Sequence, residues 1–132
     1  SPRAQVGGLE YLQALRDVVV ILMIEKKEAV EHLDEILAVP GIDMIQWGPG
    51  DYTVSIGKAA ARTDPEVKAA ERKVIETAIR KGIPPRAEIV SPDDAQYYLD
   101  LGVRHFNLNV DLWILLAWWT ANGKAMRERL SA

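Results

Sequence analysis

The sequence predicts an α/β fold built from four parallel β-α units, and two features of the chain predict it. Apolar runs of strand length alternate with amphipathic segments, and the first run, residues 18–24, carries no polar residue. A strand that is apolar on both faces is typical of a parallel sheet covered by helices. Alternating strands and helices indicate β-α units with right-handed crossovers.

Four β-α units can form a small open sheet or half of a (β/α)8 barrel, and two observations favour the barrel half. Acids recur just after three predicted strand ends, at Glu25, Asp51 and Asp111. This is the pattern expected if they all face the mouth of a barrel, the open end where its strands finish. The sequence also lacks a glycine-rich phosphate-binding loop, which many open α/β sheets carry.

The individual elements follow from apolar periodicity and from the residues that interrupt it. Leu9 to Arg16 has leucines at helical spacing, and residues 27–39 continue that pattern until Pro40-Gly41 ends it. Thr63-Asp64-Pro65 is typical of a helix start, with an N-cap candidate and a proline in the first turn. The remaining predictions are strands over residues 18–24, 42–47, 87–90 and 105–110, and helices over about 65–81, 92–101 and 112–129.

The composition is typical of a soluble globular protein, and we expect residues 1–132 to form a single domain. Of the 132 residues 48% are hydrophobic and 27% are charged, and the net charge of −3 predicts neither nucleic-acid nor membrane binding. The absence of cysteine excludes disulfides and thiolate metal sites and fits a cytoplasmic location. No signal peptide is recognised, and the longest apolar run is too short to cross a bilayer.

The acids after the first two strands are the candidate metal ligands. Glu25 follows an apolar strand, and Asp51 follows a second strand that ends at Gly48-Pro49-Gly50. If the two strands are parallel neighbours, their ends lie roughly 5 Å apart, so both carboxylates could bind one hard divalent cation. Two alternatives stay open: Glu25 as a solvated acid at a helix start, and Asp51 as the N-cap of a turn over 51–56.

Several segments together resemble the HpcH/HpaI aldolase family of metal-dependent, class II pyruvate aldolases. The resemblance rests on Ile24-Glu25, on Val39-Pro40-Gly41-Ile42-Asp43 and on Trp47-Gly48-Pro49-Gly50-Asp51-Tyr52, and it continues through Asp64-Pro65-Glu66-Val67 to Asn109-Val110-Asp111. It implies the second half, about strands five to eight, of a TIM (β/α)8 barrel of the phosphoenolpyruvate/pyruvate superfamily. Met23 and Gly50 depart from residues common at those places in the family.

The resemblance also implies roles for particular residues. Glu25 and Asp51 would bind the metal, with Mg²⁺ or Mn²⁺ expected and Co²⁺ as a further candidate. The backbone around Gly50 and Asp51 would hold the carboxylate of a pyruvate-like substrate. The family's arginine and its histidine, with an acidic partner, would lie in the first half of the barrel. No residue here is assigned those catalytic roles, and we expect little activity without that half.

The predicted function is therefore a lyase that forms or cleaves 2-keto-hydroxy acids from a keto acid and an aldehyde through a metal-stabilised pyruvate enolate. One alternative is an acyl-CoA lyase of the citrate lyase beta or malyl-CoA lyase type. Another is a catalytically inert half-barrel that serves only in assembly. The chain could be a fragment, could pair with another half barrel, or could have a first half that this sequence omits.

The other polar candidates have simpler interpretations. We expect His32 to be a surface histidine and His105 to be a structural one. Arg86 and Glu88 alternate onto one face of the third strand, where a structural salt bridge is favoured over a substrate contact. Asp111 is expected to cap the final helix rather than to bind substrate.

The final helix, residues 112–129, begins with the almost wholly apolar segment Leu112 to Trp119. One face is expected to pack on the barrel, and the remaining apolar surface should meet another subunit, because aromatic residues are enriched at interfaces. The family resemblance implies the same, a homo-oligomer (a dimer or a hexamer) joined through this helix.

Overall fold

A computed structural model describes residues 8–131, and four parallel strands form one sheet in the order β1-β2-β3-β4. Three strands are shorter than predicted, and the first starts late because its pairing with β2 begins only at Ile21, opposite Met44. The third strand instead begins two residues earlier than predicted, at Pro85. Val18 and Val19, which were predicted to begin the first strand, are 57% exposed and lie outside it. The bounds are β1 Ile21–Ile24, β2 Met44–Trp47, β3 Pro85–Ile89 and β4 His105–Leu108.

Helices connect the strands, and most of them lie where the sequence predicts them. The exception is the segment 27–39, which was predicted as one helix but breaks at His32 (φ −98°, ψ 23°) into two short helices. The bounds are α1 Leu9–Arg16, α2 Lys27–Glu31, α3 Leu33–Ile36, α4 Pro49–Ser55, α5 Pro65–Arg80, α6 Ala95–Asp100 and α7 Asp111–Leu130, with a 3₁₀ turn at Pro92–Asp94 before α6.

The long helix α5 begins and ends as its sequence predicts. Asp64 is the N-cap, and its side chain accepts a hydrogen bond from the Glu66 N–H at 2.8 Å. Pro65 occupies the first turn, where its missing N–H costs no hydrogen bond. Gly82 follows the C-terminus with a φ of +77°, a conformation that glycine adopts without strain.

The hydrophobic core lies between the sheet and the helices that cover its outer face. Its larger cluster includes Ile24, Leu33, Ile45 and Val74, all 2% exposed or less. A smaller cluster beneath α6 contains Ile75, Ala87 and Val103. These contacts fix the strands, so the residues at their carboxyl ends are held by a packed layer.

The final helix α7 does not pack as predicted. None of its residues is buried, and its large apolar side chains are all at least 50% exposed. The sheet of the described residues ends at β4, so α7 has no further strand to cover. Within residues 8–131, no helix has both the length and the apolar character that crossing a membrane requires.

Candidate functional site

The carboxyl ends of β1 and β2 open onto a cavity of about 430 Å³. Ile24 pairs with Trp47 in the parallel register, and the Gly48 N–H donates to the Ile24 carbonyl at 3.0 Å. The residues that follow the two strands are therefore neighbours. Charged side chains in the cavity wall come from both strand ends, from the loop before α5, from α5 itself and from β3: Glu25, Asp51, Arg62, Glu71, Arg86 and Glu88.

Glu25 lies over the end of β2 because Gly48 has no side chain. A Cβ placed on Gly48 would lie 2.6 Å from the Glu25 Cβ and 3.0 Å from its Oε2. The Lys27 N–H also donates to the Ser55 Oγ at 3.0 Å, which ties the chain after Glu25 to the end of α4. Glu25 is half-buried, so its carboxylate is held at the cavity wall.

Asp51 lies in the first turn of α4 and is not the N-cap that one interpretation predicted. The helix begins earlier, at Pro49, with Gly48 as the N-cap, because Pro49 is favoured at a first helical position. The Asp51 carboxylate lies 3.7 Å from the Lys26 Nζ, with both side chains more than half exposed. A pair this exposed contributes little to stability and leaves the carboxylate available to a ligand.

The amides of Gly50 and Asp51 precede the first hydrogen bond within α4. That bond runs from the Tyr52 N–H to the Gly48 carbonyl at 3.1 Å. N–H groups ahead of the first intrahelical bond have no partner within the helix. The Thr53 hydroxyl donates to the Gly50 carbonyl at 2.7 Å and holds this turn in shape.

The donor set of the cavity suits a hard divalent cation. Glu25 and Asp51 offer carboxylate oxygens, and the space beside Glu25 is kept open by the missing Cβ of Gly48. Within the described part of the chain, no group of three or more His, Asp or Glu side chains could hold a metal ion. Glu25 and Asp51 are the two carboxylates beside the strand ends that could hold a metal, with its other positions left to substrate and water.

Arg86 and Glu88 line the same cavity but do not form the salt bridge that was predicted. The Arg86 Nε donates to the Gln46 Oε1 at 2.7 Å, across the paired positions of β2 and β3. Glu88 instead accepts a hydrogen bond of 3.3 Å from Asn107 on β4. Residues two apart on one strand share a face, but here the neighbouring strands offer closer partners.

A buried acid on α5, which also lines the cavity, was not predicted from the sequence. Glu71 on α5 has a side chain only 3% exposed and pairs with the Lys68 Nζ at 2.6 Å. It accepts hydrogen bonds from the hydroxyls of Tyr98 at 3.0 Å and Tyr97 at 3.3 Å. Burial, and then the charge of Glu71, raise the pKa of both tyrosines above the usual value. The signal was its position between Val67 and Ile75, both buried and four residues away on either side.

The remaining candidates lie away from the carboxylates or have local partners. His32 is exposed and lies 3.3 Å from Glu35, as a surface residue would. His105 is exposed at the start of β4, the end of the strand opposite the cavity mouth. Asp111 is not the N-cap of α7, a position that Val110 holds, although its Oδ1 accepts from the Leu112 N–H at 2.7 Å.

Arg62 is a second cavity residue that the sequence did not suggest. It lies in the loop between α4 and α5, and its guanidinium comes within 3.3 Å of the place where a Gly50 Cβ would be. No periodicity or motif marks a single arginine in a loop, so no sequence signal could have found it.

Comparison with known proteins places this chain in a family. The sequence profile described as HpcH/HpaI aldolase/citrate lyase matches residues 2–116. A 4-hydroxy-2-oxo-heptane-1,7-dioate aldolase of Escherichia coli is 35% identical over 107 residues, which are 80% of this chain and 41% of that protein. The chain thus spans less than half the length of the curated relatives it matches.

Solved structures agree with this result. The HpcH/HpaI aldolase of Desulfitobacterium hafniense matches with a TM-score of 0.75 and 26% identity, over 90% of this chain and 47% of that one. Citrate synthase SbnG matches with a TM-score of 0.78 and 25% identity, over 98% of this chain and 56% of that one. The four-stranded parallel sheet of this chain and its likeness to these TIM-barrel proteins confirm the predicted partial TIM barrel. The chain belongs to the HpcH/HpaI aldolase/citrate lyase family.

Proposed function

We propose that this chain contributes the metal- and keto-acid-binding part of a class II aldolase, which forms or cleaves 2-keto-hydroxy acids through a pyruvate enolate. The observation that carries the proposal is the convergence of Glu25 and Asp51 on one cavity at the ends of two adjacent strands. Aldolases of this family generally depend on a divalent metal, and curated relatives are aldolases by name.

Glu25 and Asp51 are the residues that would hold the metal, with Mg²⁺ or Mn²⁺ expected and Co²⁺ as a further candidate. A bound divalent cation supplies Lewis-acid stabilisation of the negative charge that develops on an enolate oxygen. The amides of Gly50 and Asp51 would hold the substrate carboxylate at the start of α4.

The test is the exchange of the pyruvate methyl protons for deuterium, followed by proton NMR on the metal-loaded chain. Substitutions Glu25→Gln and Asp51→Asn keep side-chain volume and remove charge, and we expect each to lower the exchange rate by at least about 100-fold. A parallel titration with Mn²⁺ should show weakened binding in both variants. In this assay a buffer base takes the methyl proton, because no residue of this chain is assigned as the base, whereas aldehyde cleavage would also need the family's arginine and histidine.

Glu28→Gln is the matched control because Glu28 is an exposed acid on α2 that does not line the cavity. It should retain both exchange and Mn²⁺ affinity. An intact, metal-loaded protein that catalyses no exchange would contradict the proposal, and so would a Glu25→Gln variant that exchanges as fast as the wild type.

An acyl-CoA lyase of the citrate lyase or malyl-CoA lyase type is a second candidate. The family's own description includes citrate lyase, and the likeness to a citrate synthase extends over 98% of this chain. Deuterium exchange into the methyl group of acetyl-CoA, with none into pyruvate, would favour this candidate over the aldolase.

A further inference from the structure

We infer that Arg62 is a specificity residue that receives the carboxylate of the keto acid beside Gly50. The inference rests on the proposed function, because it takes a keto acid as the ligand of this cavity. It adds a side-chain cation to a carboxylate site that was otherwise built from backbone amides alone.

The position of Arg62 is the first argument. One terminal guanidinium nitrogen lies 3.3 Å from the point where a Gly50 Cβ would stand, so the guanidinium packs directly against the first turn of α4. The same cavity is lined by Gly50, Asp51 and Arg62. A carboxylate held by the Gly50 and Asp51 amides would therefore lie next to this cation.

The loop that carries Arg62 is the second argument, because it is held by specific contacts. The Lys58 N–H donates to the Thr53 carbonyl at 2.8 Å, and the Lys58 Nζ binds Asp64 at 3.0 Å and Glu66 at 2.7 Å. Ala60 takes a left-handed conformation, with a φ of +65°, that a non-glycine residue adopts only at a cost. The Arg62 N–H then donates to the Ala60 carbonyl at 2.9 Å.

Charge is the third argument. Lys26 and Lys58, two lysines near this end of the sheet, each pair with an acid. Arg62 forms no ion pair with any residue in the range 8–131. A guanidinium offers parallel N–H donors that match the two oxygens of a carboxylate. Arg62 is thus a positioned donor with its charge available to an anionic ligand.

Arg86 is the other arginine in the cavity that could receive the carboxylate, and its position far from the carboxyl end of β3 argues against this role. It is the second residue of β3 and lies three residues, about 10 Å, below the carboxyl end of that strand. Its Nε is already hydrogen-bonded to Gln46. Arg62, in contrast, is the cation that the structure places directly against Gly50.

The experiment compares the affinities of pyruvate and pyruvamide, its neutral analogue, for the whole chain with all divalent metal chelated. Ligand-observed NMR titration gives both affinities without turnover. We expect Arg62→Gln to weaken pyruvate binding about tenfold and pyruvamide binding less than twofold. Arg62→Lys should restore part of the preference. Arg72→Gln, which alters an exposed arginine paired with Glu76 on α5, should change neither affinity.

The inference is overturned if Arg62→Gln leaves the preference for pyruvate intact, if the wild type shows no preference, or if Arg86→Gln alone abolishes it. This outcome can be separated from that of the proposed function. Metal-dependent methyl exchange together with an unchanged Arg62→Gln preference would sustain the aldolase proposal and reject the role of Arg62. If Arg62→Gln loses the preference for pyruvate and no methyl exchange is seen, the role of Arg62 stands and the aldolase proposal is rejected. The cavity would then bind the carboxylate of pyruvate without catalysing its enolisation.

Discussion

Gly48 is the residue on which the geometry of the candidate site most depends. It stands between β2 and α4, and a Cβ there would lie 2.6 Å from the Glu25 Cβ, which is fixed to the backbone and cannot rotate away. We expect Gly48→Ala to displace Glu25 and to destabilise the fold by about 1–3 kcal/mol, the usual cost of overpacking. Urea unfolding measures the change in stability. Titration with Mn²⁺ measures the loss of metal affinity expected if Glu25 is displaced.

Gly123→Ala is the control for this glycine, because Gly123 lies inside α7 and an added Cβ would come no closer than 3.6 Å to another side chain. Alanine favours a helix over glycine, so this variant should be as stable as the wild type or more stable by up to about 1 kcal/mol. A Gly48→Ala protein with wild-type stability and Mn²⁺ affinity would contradict the role given to Gly48.

At the residue scale, the sequence predicted the positions of side chains that are set by local rules. It did not predict the positions of side chains that are set by tertiary contacts. Glu25 and Asp51 each follow a strand end, and parallel pairing brings such residues together. Their roles as metal ligands stay predictions. The prediction of an Arg86–Glu88 salt bridge was wrong because each side chain bonds to a partner on a neighbouring strand instead. Arg62 was not predicted because the conformation of its loop decides where its side chain lies.

Among the elements, α5 and α6 are joined by the Glu71 carboxylate and the hydroxyls of Tyr97 and Tyr98. The hydrogen bond from Tyr98 at 3.0 Å meets a charged acceptor, so Tyr98→Phe should cost about 1.5–3 kcal/mol at neutral pH. The remaining Tyr97 hydroxyl and Lys68 keep Glu71 from being left without partners.

The same contact predicts how stability depends on alkaline pH. Burial and Glu71 raise the folded-state pKa of Tyr98, so the folded state holds the proton more tightly than the unfolded chain. Its contribution is complete below the unfolded pKa of 10.0 and is lost as the pH rises from there through the folded-state pKa. We expect the free energy of unfolding to fall above about pH 10, and to fall less in Tyr98→Phe.

Urea unfolding at several pH values between 8 and 11 measures this difference. Glu71→Gln provides an independent check, because it removes the charge that raises the tyrosine pKa but keeps an acceptor. Its tyrosines should ionise at lower pH than those of the wild type, as seen by ultraviolet absorbance. Equal alkaline slopes in the wild type and Tyr98→Phe would refute this account.

The order and type of the elements were predictable, whereas several boundaries were not. Helix α1 has its predicted bounds, and α5 differs at its end by one residue, because caps and glycine stops are encoded locally. The first strand begins three residues later than predicted, since pairing with Met44 rather than apolar character decides where it starts. The helix predicted over 27–39 breaks at His32, which no local breaker marks.

At the scale of the whole molecule, the described residues leave a large apolar surface without a partner, and it is concentrated on α7. Trp118 and Trp119 pack edge to face with ring centroids 4.7 Å apart, yet they are 54% and 64% exposed. The sequence predicted an apolar helix here, but not that every one of its large side chains would be exposed. Apolar patches of this kind mark interfaces in soluble proteins.

We propose that α7 joins copies of this chain, as a dimer or a hexamer, and expect an assembly larger than 14.7 kDa in sedimentation at micromolar concentration. Leu115 and Trp119 lie one turn apart on one face of α7 and do not line the cavity. Their joint replacement by glutamine should weaken association at least about 30-fold, since central aromatic contacts contribute 2 kcal/mol or more. Arg129→Gln, on the last turn of the same helix, should leave association unchanged. A wild-type protein that sediments as a monomer at micromolar concentration would contradict this proposal.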